Sequence, residues 1–111
     1  MARGALATTT AALALLAAGA AGAQSPAVEA GRQKAQMCAA CHGPLGLGSA
    51  PDAPHLAGQP EIYLAAQLKA FRSGVRRHEQ MNVMAKALSD EDIAALAAWY
   101  ASLKIEVQPP R

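Results

Sequence analysis

Cys38-Ala39-Ala40-Cys41-His42 is the one cluster in this sequence whose residue types and spacing could do distinctive chemistry. Thiols three residues apart share one side of a helical turn, so both can bond to a single flat partner. The imidazole that follows projects from the same turn. A disulfide between Cys38 and Cys41 would close a very short loop and add little stability. A thioredoxin-like redox pair expects a βαβ setting, and no alternating strand pattern occurs anywhere in the chain. A zinc site needs two more ligands, and His42, His55 and His78 do not stand at zinc-like spacing. What remains is covalent attachment of one haem c, with Cys38 and Cys41 as its thioethers and His42 as an axial ligand to the iron.

Such an iron needs a second axial ligand. Met37 abuts the attachment cysteine, too close to reach the other haem face. Met81 and Met84 are left, with His78 or His55 as bis-histidine alternatives. A thioether raises the reduction potential relative to a second imidazole, and a weak, soft ligand suits fast one-electron exchange. A methionine beside an amphipathic helix ordinarily fills core. An iron short of a ligand reverses that expectation for one of the pair.

The elements that must hold these residues begin after a leader. Arg3 supplies a positive start, Ala5 to Ala18 form an apolar stretch broken only by Thr8, Thr9 and Thr10, and Ala21-Gly22-Ala23 fits a signal-peptidase site. Residues 1–23 are therefore expected to be a cleaved signal peptide and 24–111 the working domain, placed in the periplasm. The apolar run is shorter than the roughly 20 residues that span a bilayer. No stable membrane insertion is expected after cleavage.

The chain holds ten Lys and Arg against eight Asp and Glu. Arg3 leaves with the leader, so the mature domain is nearly neutral and no basic surplus points to nucleic acid. A domain this small usually needs a disulfide, a metal or a cofactor to supplement its core. Covalent haem meets that need.

Three helices can be read. Ser25 caps the first, Pro26 takes its first position, and it runs toward Cys38. Gly43 to Gly58 contains four Gly and three Pro, so it is expected to be an irregular loop wrapped around something. The second helix opens at Gln59-Pro60, carries Leu64, Leu68 and Phe71 on one stripe, and stops at Gly74. Arg76 to Glu79 look like an exposed turn, and the pattern is weak from Val75 to Leu88. Ser89 caps the third helix, whose Ile93, Leu96, Ala97 and Tyr100 form a buried stripe broadened by Trp99 and Leu103. The fold class is all-α.

Over Val28 to Leu103 the chain resembles class I c-type cytochromes, above all the small bacterial monohaem proteins and one half of the periplasmic dihaem cytochromes c. The likeness rests on Cys38-Ala39-Ala40-Cys41-His42-Gly43, on Ala50-Pro51 through Leu56-Ala57-Gly58-Gln59, and on Phe71-Arg72. It continues through Met81-x-x-Met84, Leu88-Ser89-Asp90-Glu91-Asp92-Ile93 and Ala97-Ala98-Trp99-Tyr100. The resemblance implies the small cytochrome c fold, three main helices plus loops around one covalent haem. It implies Met81 as the iron ligand, and Pro54 as the residue whose carbonyl accepts the Nδ1 proton of His42. It also places Gly31 at the crossing of the first and last helices, with Trp99 beside it. Tyr63, Gln59 and Arg76 are candidates to lie near the haem propionates, or are ordinary surface polarity.

The function expected is that of a periplasmic one-electron carrier with His/Met ligation, not an enzyme, meeting redox protein partners through small interfaces. Its rim is expected around Cys38 to Cys41 and the Gly43–Gly48 loop, where short side chains allow close approach. The alternative is a haem c subunit held permanently by a dehydrogenase or oxidase. A peroxidase-like enzyme would need an open sixth position and a distal base, for which His78 is the only nearby candidate.

Overall fold

The computed structural model describes Met1, Gly4 and residues 24–111. The leader expected at 1–23 lies outside the described residues. Five α-helices follow in order: α1 (Pro26–Lys34), α2 (Ala39–His42), α3 (Glu61–Ser73), α4 (Glu79–Lys86) and α5 (Asp90–Ser102). No strand occurs among the described residues, so the all-α class holds.

α1 begins where Ser25 Oγ accepts from Val28 N–H at 3.3 Å, with Pro26 in the first turn. It does not run unbroken toward Cys38. It ends at Lys34, tightens into a 3-10 turn over Ala35–Met37, and resumes as α2. Such tightening is common at helix ends. Here it precedes a turn in which His42 is buried and Cys41 exposed. Gly43, at φ 79°, terminates α2 in a conformation that side-chain-bearing residues rarely adopt.

α3 starts at Glu61 rather than at Gln59-Pro60, with extended Pro60 as the flanking residue, and ends on left-handed Gly74. α5 carries a full capping box: Asp92 N–H donates to Ser89 Oγ at 3.0 Å, and Ser89 N–H to Asp92 Oδ2 at 3.1 Å. Asp90, Glu91 and Asp92 in its first turn complement the helix dipole.

α4 is the element the sequence pattern did not disclose. It is one short helix capped by His78, whose Nδ1 accepts from Met81 N–H at 3.3 Å. Histidine is not among the usual capping residues, so no start signal stood in the sequence.

The core gathers the inner faces of α3, α4 and α5. Ile93 and Leu96 are fully enclosed, with Leu64, Phe71, Ala85, Leu88 and Tyr100 around them. α1 packs across α5 at Gly31, where an added Cβ would lie 1.9 Å from Ala95 O and 2.7 Å from Trp99 Cβ. Only a glycine permits that approach. Lys34 Nζ and Asp92 Oδ1, 3.1 Å apart, tie the same two helices near their ends. Arg72 joins α3 to the start of α5, donating to Leu88 O at 3.1 Å and Asp90 Oδ1 at 2.6 Å.

Candidate functional site

The motif, the loop and α4 enclose one cavity of about 430 Å³. That size, with a mainly apolar lining and a few polar groups, is typical of cofactor sites. Cys38, Cys41, His42, Pro54, Met81 and Met84 all line it.

His42 is 7% exposed. Its Nδ1 lies 2.9 Å from Pro54 O. A carbonyl only accepts, so Nδ1 carries a proton, and in the neutral ring Nε2 then holds the lone pair. Nε2 has no hydrogen-bond partner among the described residues. This is the tautomer a metal-ligating imidazole requires.

The carbonyl of Pro54 is held by a loop wired mainly through backbone. Ser49 and Ala50 N–H donate to Cys41 O at 2.9 and 3.1 Å, and Leu56 and Ala57 N–H donate to Gly46 O at 2.7 and 3.0 Å. Gly46 has φ 73°, and a Cβ there would stand 2.8 Å from the Tyr100 ring. Gly48 backs against Ala53 O, which a Cβ would approach to 2.0 Å. The loop expected from its Gly and Pro content is thus an ordered wrap.

Met81 and Met84 stand one turn apart on α4, both half-buried. Position alone does not separate them. Around Met81, His78 accepts its backbone N–H, and the next residue, Asn82, bonds three backbone groups. Asn82 Nδ2 donates to Phe71 O and Arg76 O, each at 2.8 Å, and Oδ1 accepts from His78 N–H at 2.8 Å.

The histidine alternatives are engaged. His78 Nδ1 holds the Met81 N–H and its Nε2 lies 3.1 Å from Asp52 Oδ2. His55 Nδ1 accepts from Gly48 N–H at 2.7 Å. Ligation or general-base work by His78 would cost α4 its cap. Among the described residues no group of three His, Cys, Asp or Glu converges as a metal cage.

Tyr63, Gln59 and Arg76 also line the cavity. Arg76 sits 4.5 Å over the Phe71 ring and donates to Gln67 Oε1 at 2.7 Å. Gln59 Nε2 donates to His55 O at 3.4 Å.

Sequence reasoning missed Asp52, Asn82 and the role of Tyr100. Tyr100 was read as core, yet its ring also lines the cavity and its hydroxyl is buried without a partner. Burial pushes its phenol well above the ordinary value, helped by the Cys38 sulfur close by. Burial likewise raises the Cys38 thiol, with the Tyr100 hydroxyl partly opposing. An orphaned donor beside a cysteine on an apolar cavity fits a site completed by a bound group. The donor set of one imidazole, two thiols and two thioethers fits haem c.

Residues 28–104 match the sequence profile of cytochrome c. The chain is 49% identical over 76 residues to cytochrome c-554(548) of Halomonas halodenitrificans, covering 66% of this chain and 92% of that protein. It is 47% identical over 77 residues to the thiosulfate dehydrogenase electron acceptor of Thiomonas intermedia, 68% of this chain but 36% of that one. The structure of cytochrome c4 from Acidithiobacillus ferrooxidans superposes with a TM-score of 0.67 at 30% identity, covering 75% of this chain and 53% of that chain. The chain thus spans nearly all of one relative and about a third to a half of the other two.

Proposed function

The chain belongs to the cytochrome c family and carries haem c, and from that premise we propose that it is a periplasmic one-electron carrier with His42 and Met81 as axial ligands. Haem c supplies exchange between ferric and ferrous iron, one electron at a time. Cys38 and Cys41 hold the porphyrin as thioethers, and Pro54 keeps the His42 ring oriented and its Nε2 unprotonated. The observation that carries this reading is the 2.9 Å contact of His42 Nδ1 with Pro54 O, inside the cavity that Met81 also lines.

Both axial positions are then filled by side chains, so electrons pass and substrates do not bind. Met37, Ala40 and Cys41 line the cavity and are exposed, an apolar rim of short and medium side chains suited to brief docking. Export by residues 1–23 places the carrier in the periplasm. No helix among the described residues is long and apolar enough to cross a membrane.

The test is the absorption spectrum of the ferric holoprotein. The long-wavelength methionine–iron band is expected in the wild type, absent from Met81→Ala and retained in Met84→Ala. A band that survives Met81→Ala would overturn the ligand assignment.

A second reading, a haem subunit held by a dehydrogenase, draws on the relative named as an electron acceptor of thiosulfate dehydrogenase. Purification of the holoprotein as a lone monomer would argue against it.

A further inference from the structure

His78 and Asp52 stand outside the redox chemistry, yet they join the loop that orients His42 to the helix that carries Met81. Asp52 lies two residues before Pro54, in the loop whose carbonyl orients His42. His78 caps α4 and accepts the Met81 N–H through Nδ1. Since Nδ1 accepts, the ring proton sits on Nε2, which donates to Asp52 Oδ2 at 3.1 Å. Asp52 makes no other hydrogen bond among the described residues. Both side chains line the cavity rim.

We infer that His78 and Asp52 are a positioning pair that clasps the Met81 turn of α4 to the 43–58 loop and so keeps the sixth coordination position closed. This inference rests on the Met81 ligand reading. An ordinary cap needs only Nδ1. The second nitrogen is used to reach another segment, far away in sequence, that itself orients the first ligand. Asn82 completes the grip by taking the His78 N–H at 2.8 Å. His78 is therefore fixed at its backbone, at one ring nitrogen by Met81 and at the other by Asp52.

The pair is exposed, His78 by 40% and Asp52 by 74% at their side chains, so its effect is modest. Opening of the sixth position is the readout to follow, because a turn held in place keeps the flexible Met81 thioether close to where the iron would sit.

The experiment measures the rate at which added imidazole binds the ferric holoprotein, with thermal unfolding alongside. Asp52→Ala is expected to speed binding about three-fold, and His78→Ala about ten-fold because the cap is lost as well. Asp52→Asn, whose amide oxygen still accepts, should stay near wild type. The Asp52→Ala/His78→Ala double variant should be no faster than His78→Ala. An Asp52→Ala rate equal to wild type overturns the inference even if His78→Ala fails to fold. So does an Asp52→Asn rate equal to that of Asp52→Ala, or a double variant that multiplies the two effects. If the methionine–iron band survives Met81→Ala, the ligand reading itself has failed. Loss of that band with unchanged Asp52→Ala exchange isolates the failure to the clasp.

Discussion

The loop between α2 and α3 and the segment from Val75 to Ala87 both line the haem cavity, but they are held in different ways. The loop is wired mainly by backbone: the Cys41 and Gly46 carbonyls each accept two N–H groups, glycines open the space those bonds need, and the His55 ring adds a side-chain bond from the Gly48 N–H. The α4 segment is wired by side chains, with Asn82 and His78 reaching to main-chain groups. A backbone-wired wrap tolerates most side-chain changes and fails at its glycines. A side-chain-wired helix fails wherever one polar group is removed.

Among the changes that test this contrast, the largest effect should come from Gly46→Ala. Its φ of 73° and a Cβ 2.8 Å from the Tyr100 ring combine a strained backbone with a collision. A loss of about 3 kcal/mol is expected in denaturant unfolding of the holoprotein. Ser49→Ala, a side-chain truncation in the same loop, should change stability by less than about 0.5 kcal/mol. Equal losses for the two would erase the contrast.

On the other side, Asn82→Ala strips partners from two carbonyls and one N–H. It should lower stability by about 2 kcal/mol. It should also bleach the methionine–iron band well below the global melting temperature. A variant that loses the band only on global unfolding would show that α4 is not separately held.

Ser89→Ala removes the cap of α5, which serves both regions, and should cost about 1 kcal/mol without altering the band. The smallest change is one of pH. The Ser89 backbone N–H first, and then Lys34, lower the carboxyl of Asp92, and Arg72 lowers that of Asp90. Both folded values lie below the unfolded ones, so these groups stabilise above about pH 4 and the contribution is lost as pH falls through the folded values. Denaturant midpoints followed from pH 6 to pH 3 should drop less steeply in Asp92→Asn.

The same division explains what could be read without a structure. Cys38, Cys41 and His42 are contiguous, and their chemistry depends on spacing along one turn. Ser89 and its acidic first turn announce α5 by composition alone. α4 was hidden because its cap is a histidine and its helix spans little more than two turns. Asp52 and His78 meet only after the loop has folded back, and nothing local marks either as a partner of the other. Asn82 between two methionines looks like a weak helix residue, because its work is done on carbonyls of α3 and of the turn after it. Pro54 and Gly31 stood out through resemblance to a family, and their physical basis, a carbonyl under His42 and a missing Cβ against Ala95, became visible only in three dimensions.

The crossing of α1 and α5 at Gly31 has a mechanical meaning. It joins the two ends of the folded domain, while every residue that lines the haem cavity hangs between them or on their inner faces. Tension applied to either end is taken up at that junction first. The Met81 turn, held by its own bonds to the loop and to α3, lies off that line of force. A pull on either tail should therefore load the α1–α5 crossing before it reaches the cavity wall.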